Sequence, residues 1–221
     1  MSISIIVSYD GTANDDDGLG LARMLVPAGA VLSLAYVRHT GEYDPRREEI
    51  AEHDAARRLQ QGAFLLGDPD VARHVVIDPS TSAGLASLAA AAAAQLIVFG
   101  SDYRTSPGRV EPGGSAQGLL NGGSVAIAVA AAGLRTRKGS GIATIAVAGE
   151  EPRGAAEQTA EGLAAALGAA RVTGFDADLI LVDSQPGSHD GRIALGGKTR
   201  TQLDSARGSV IVLPHNAPLA F

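Results

Sequence analysis

The residues whose spacing could do chemistry in this chain are mostly glycines. Gly100 closes the apolar run 96–99, and Gly113, Gly114 and Ser115 follow at the far end of a proline- and glycine-rich segment. A strand that ends in glycine and feeds such a loop into a helix start turns backbone N–H groups toward whatever lies above the sheet, and an anion is their natural occupant. Residues 95–129 therefore read as a candidate phosphate cradle: strand 96–99, loop 100–114, a short helix opening near Ser115, and a second buried strand 125–129. Arg104 and Arg109 offer charge from within the loop. The same glycines also suit a tight connection with positive φ and no ligand, so both readings stand.

Other chemistries fit poorly. Gly196-Gly197-Lys198-Thr199 approaches a P-loop, but G-x4-G-K-[ST] needs glycine at 192, where the chain has arginine. Gly113-Gly114-Ser115-Ala116-Gln117 opens like a nucleophile elbow and lacks its closing glycine. With no cysteine there is no disulfide, thiolate nucleophile or zinc–thiolate centre. The five histidines are scattered without ligand spacing. Asp15, Asp16 and Asp17 suit the positive end of a helix better than a magnesium site. No turnover is expected.

A formal charge of -6 and a pI near 5.3 argue against nucleic acid as a partner. The first residues have no basic n-region, and the alanine-rich stretch 84–100 reads as a helix followed by a strand rather than a span. The expectations are a cytoplasmic protein and no membrane.

The elements that must position these residues alternate. Strands are expected at 3–7, 31–37, 75–77, 96–99 and 125–129. A helix capped by Asn14 or Asp15 follows the first, an amphipathic helix over 45–66 with an ordinary solvated charged face follows the second, and an alanine-rich helix capped by Ser80 or Ser82 runs to about Ala94. This βαβαβαβαβ order implies a parallel, doubly wound α/β sheet, with ligands at the strand carboxyl ends where Asp10 and Gly100 lie. Residues 133–141 read as a linker between a domain at 1–132 and a compressed second copy at 142–221. In that copy 144–148 repeats the first strand, Gly149-Glu150-Glu151 stands for Tyr9-Asp10-Gly11, 155–167 repeats the first helix, and 171–175 is a short strand. Strands 179–182 and 210–213 follow, with Lys198 and Thr199 opening the short last helix.

The chain resembles the universal stress proteins in a tandem form with a reduced second repeat. Many of these carry G-x2-G-x9-G-[S/T] after the fourth strand, around the phosphates of bound ATP. Laid on this chain, the motif falls on Gly100, Tyr103, Gly113 and Gly114, with Ser115 one place late for the hydroxyl; in the second copy it falls on Ser184, Gly187, Gly197 and Lys198. Tyr103 puts a side chain where backbone should meet phosphate, and Gly114 supplies no hydroxyl. The resemblance implies a Rossmann-like, adenine-nucleotide α-hydrolase-like fold and a regulatory module in the stress response. It implies ATP with Mg as ligand, held by Asp10, Val37, Gly100, Gly113, Gly114 and Ser115, where Asp10 contacts the adenosine end and Val37 offers backbone atoms to adenine. Read from the residues alone, Asp10 is turn and cap chemistry and Val37 a core position. It also implies an intramolecular pseudo-dimer through strands 125–129 and 210–213, and it admits a homodimer. The alternative is an interaction or dimerisation protein with degenerate sites; an adenylyl-transferring enzyme lacks a pyrophosphate signature.

Overall fold

Runs of branched aliphatic residues buried along their whole length build the centre of this protein. The computed structural model describes residues 2–39, 44–137, 141–148 and 154–221. In chain order its elements are β1 Ile3–Ser8, α1 Ala13–Leu25, β2 Ala30–Arg38, α2 Pro45–Leu66, β3 Ala72–Ile77, α3 Thr81–Ala91, β4 Leu96–Phe99, α4 Gly114–Leu120, β5 Ala126–Val129, β6 Thr144–Ala148, α5 Ala155–Leu167, β7 Ala170–Arg171, β8 Leu179–Val182, α6 Gly197–Ser205 and β9 Ser209–Val212. The strands form one sheet in the order β3-β2-β1-β4-β5-β9-β8-β6-β7. All neighbours run parallel except β5 and β9, which pair antiparallel with Ala128 opposite Ile211. The two halves thus meet along their last strands.

Helices cover both faces, which is why β4, β5, β8 and β9 are buried at every position without alternation. Ile5, Val7, Leu96 and Val98 share one core with Leu21 of α1, Leu59 of α2 and Leu163 of α5. Ile6, Ile97 and Phe99 share the other with Leu85 of α3, Leu119 of α4 and Leu203 of α6. Among the described residues no helix is long and apolar enough to cross a membrane.

Local signals set the helix ends, with some corrections. Thr12, rather than Asn14 or Asp15, caps α1; Asp15 supplies the reciprocal half of a capping box. Asp44 and Pro45 start α2, and Ser80 starts α3, which ends at Ala91 rather than near Ala94. Asp17 does more than face a helix dipole: it is buried, accepts the N–H groups of Gly133 and Arg135 at 2.8 and 2.7 Å, and pairs with the Arg135 guanidinium at 2.8 Å. Of the segment expected as a linker, 133–137 and 141 are described, and 133–135 is fastened to α1 in this way. The second copy keeps the order β7-β6-β8-β9, with β7 cut to two residues at 170–171 instead of 171–175.

Candidate functional site

Strand order reverses at β1: β2 and β3 extend to one side of it, while β4 and β5 lie on the other. Such a switch point leaves a crevice beyond the strand carboxyl ends. Here it is a cavity of about 380 Å³. Asp10, Val37, Gly100, Gly113, Gly114 and Ser115 all line it, so the structure brings together the six residues that the resemblance implies for the ligand. A cavity of about 480 Å³ beside α1 offers less, because its charged walls Arg137 and Asp178 pair with each other at 3.1 Å.

The glycines differ in what requires them. A Cβ on Gly100 would overlap the carbonyl oxygen of Asn14, so glycine there lets the first turn of α1 pack onto the end of β4. Packing alone accounts for it. Gly113, the N-cap of α4, has φ −67° and nothing within 4 Å of the Cβ position; Gly114 is equally open. Neither steric crowding nor positive φ explains these two, and their bare main chain faces the cavity.

The acidic wall comes from the β1–α1 connection. Asp15 Oδ2 accepts the N–H groups of Asp10 and Thr12 and the Thr12 hydroxyl, at 3.1, 3.0 and 2.8 Å. This turns its carboxyl back toward the end of β1, beside Asp10. Burial pushes Asp15 up to about 7, Asp10 adds to the shift, and the Thr12 donors oppose it. One carboxyl group here holds its proton near neutrality. Tyr9 is fully buried and donates to Asp16 at 3.3 Å, with burial and then the Asp16 carboxylate pushing its phenol up.

The loop arginines lie elsewhere. Arg104 sits over the exposed Tyr103 ring with its guanidinium carbon 4.9 Å from the centroid, so that ring stands out from the protein. Arg109 donates to the Asp204 carbonyl of the second half. The cation that lines the cavity is Arg58 of α2, which sequence reasoning assigned to a solvated face; His39 and Thr81 line it as well. The signal for Arg58 was Gly62, the one glycine inside α2. A Cβ there would stand 3.0 Å from the Tyr9 ring and 3.1 Å from Leu34, so glycine lets α2 settle onto β1 and β2 with Arg58 one turn earlier.

The second copy repeats the connection with a changed content. Ser101 Oγ donates to the Ala130 carbonyl at 2.6 Å and accepts from Glu111 N–H at 3.3 Å. Ser184 does the same with Leu213 at 2.7 Å and Ala194 at 3.2 Å. This equivalence corrects the register of the second motif by one residue. Asp183, not Ser184, stands in the place of Gly100, and Gly196, the N-cap of α6, in that of Gly113. Asp183 Oδ1 accepts the Ala156 N–H at 2.7 Å at the start of α5. Gly149-Glu150-Glu151 lies outside the described residues.

Among the described residues no group of three or more His, Asp or Glu could hold a metal ion. No protein-family model matches the sequence, and no curated protein matches it. Solved structures do resemble it. A universal stress protein from Archaeoglobus fulgidus DSM 4304 aligns with TM-score 0.68 at 12% identity, over 96% of this chain and 98% of that one. A Pseudomonas aeruginosa UCBPP-PA14 protein assigned provisionally to the universal stress proteins aligns at 0.63 and 12%, over 96% and 93%. A functionally unknown protein from Pseudomonas aeruginosa PAO1 aligns at 0.60 and 14%, over 96% and 92%. The chain therefore has the universal stress protein fold, an α/β fold on a mostly parallel sheet, over nearly its whole length.

Proposed function

We infer that the chain is a universal stress protein-like regulatory module that holds one adenine nucleotide, ATP with Mg, in the first-half cavity without turning it over. The observation that carries this reading is the pair Gly113 and Gly114: two glycines that no packing or φ requires, with bare main chain against a cavity at the switch point. Nucleotide phosphates approach backbone N–H groups closely, and a Cβ at either position would stand between them. Magnesium would come with the phosphates, since the described side chains offer no cage for it. Burial and the neighbouring Asp10 push the Asp15 carboxyl toward its neutral form, which lowers the negative charge that an anionic ligand would meet.

A second reading is favoured by Gly100 and Asp183. Gly100 is explained by packing against α1, and its counterpart is Asp183, whose side chain already takes up the Ala156 N–H at the start of α5. On that reading the protein binds no nucleotide and acts as an interaction or dimerisation protein. The test is the small-molecule content of freshly purified protein, denatured and chromatographed, followed by calorimetric titration with ATP and Mg. Stoichiometric adenine nucleotide, or saturable heat that Gly113→Asp abolishes in a folded protein, supports the first reading. An empty protein without heat leaves the second.

A further inference from the structure

Two contacts hold α2 over the ends of β1 and β2. Arg38, the buried last residue of β2, is bound by both carboxylate oxygens of Glu48 at 2.9 and 2.7 Å. Further along, Gly62 lets the helix close onto the Tyr9 ring. Arg58 lies between these two points. It is solvent-exposed, yet its guanidinium is fixed: Nη1 donates to the Asp10 carbonyl at 2.5 Å, and Cζ lies 5.5 Å from the Tyr36 ring centroid. An exposed arginine ordinarily keeps its head free in water. This one is a planar group backed by an aromatic ring, lining a cavity.

Topology sets which part of a ligand it meets. Tyr36 and Val37 belong to β2, whereas Gly100 follows β4, and β1 lies between them. Two strand spacings separate the β2 and β4 sides by about 10 Å. A nucleotide with its phosphates against Gly113 to Ser115 therefore has its base on the β2 side, beside Arg58. Guanidinium planes stack on heteroaromatic rings, and the contact grows with ring area.

We propose that Arg58, backed by Tyr36, is the specificity-determining residue of the first-half site: a stacking shelf that selects a purine over a smaller ring. The inference rests on the nucleotide reading above. Calorimetric titration of wild type, Arg58→Ala and Arg58→Lys with ATP and with UTP, each at low and high salt, tests it. Wild type is expected to prefer ATP. Arg58→Ala should weaken ATP by about tenfold, the scale of one stacking contact, weaken UTP less, and so narrow the preference. Lysine, which has no plane, should not restore it, and the loss should persist at high salt. An equal loss on both nucleotides that lysine restores and salt erases would make Arg58 a phosphate partner and overturn the inference; so would unchanged affinities. A wild type that binds neither nucleotide removes the nucleotide reading itself, and this inference with it. An unchanged melting curve for Arg58→Ala checks that the fold is intact.

Discussion

Gly100→Ala and Gly113→Ala add the same methyl group to two walls of one cavity and should give opposite results. At 100 the new Cβ overlaps the Asn14 carbonyl oxygen, which is backbone and has no rotamer to yield. Relief requires α1 to move off the end of β4, and α1 is fastened at Asp17 to residues 133–135. Overpacking in a closed core costs about 1–3 kcal/mol, and a backbone collision belongs at or beyond the top of that range. At 113 the methyl meets nothing within 4 Å, and φ is −67°. The gain of about 0.4–1 kcal/mol from a stiffer unfolded chain is offset by the poorer N-cap that alanine makes, so stability should hardly change. The assay is urea unfolding followed by far-UV circular dichroism, since the chain has no tryptophan. With a slope of roughly 3 kcal/mol/M, the first variant should unfold about 1 M earlier and the second with wild type. Equal midpoints for Gly100→Ala and wild type would refute the packing account of Gly100. An early midpoint for Gly113→Ala would refute the claim that neither packing nor φ requires glycine there.

Asp17→Ala removes a buried carboxylate and the acceptor of two N–H groups; because the Arg135 side chain is 35% exposed and can rehydrate, the loss should sit near the low end of the 3–5 kcal/mol range, about 3, read from the same unfolding curves. Ser101→Ala and Ser184→Ala break matching hydroxyl bridges and should each cost about 1–3 kcal/mol, with a large inequality between them arguing against structural equivalence of the halves. The Asp15 carboxyl has its folded value raised to about 7, above the ordinary ~3.9, so the folded state binds more protons between those limits. Its contribution is complete below pH ~4 and is lost as pH rises to about 7, at up to about 1.4 kcal/mol per pH unit. Asp15→Asn should flatten that decline in melts taken from pH 5 to 8, and an unchanged slope would place the proton elsewhere.

The strands were legible because a sheet covered on both faces needs uninterrupted apolar runs, and 96–99, 144–148 and 179–182 offer little else. β7 was not fixed so well, since two residues carry no pattern. The cavity residues at the ends of β1, β2 and β4 could be placed because strand ends in a doubly wound sheet converge whatever the loop lengths. Arg58 could not be placed that way: its approach depends on the contact of Gly62 with Tyr9, fifty-three positions apart in sequence, and periodicity along α2 reports nothing of it. Nor could the loop sequence show that Arg104 pairs with its own neighbour Tyr103 while Arg109 crosses to the second half.

The two halves solve one steric problem in two ways, and the difference bears on how many ligands a chain can hold. After β4, glycine at position 100 draws the first turn of α1 against the strand end and leaves the volume above it open. After β8, Asp183 occupies the same place, and its carboxylate takes up the Ala156 N–H at the start of α5. Gly154 then becomes the residue that must lack a Cβ, since one there would stand 2.5 Å from Asp183 Oδ2. The small residue has moved from the strand to the helix cap, and the Asp183 carboxyl stands at the helix start, where it already takes up a backbone N–H. A phosphate brought there would have to displace that side chain from the N–H it already holds. On the nucleotide reading, one site per chain follows from that exchange of Gly100 for Asp183. A titration of the intact chain with a stoichiometry near two would show the argument wrong.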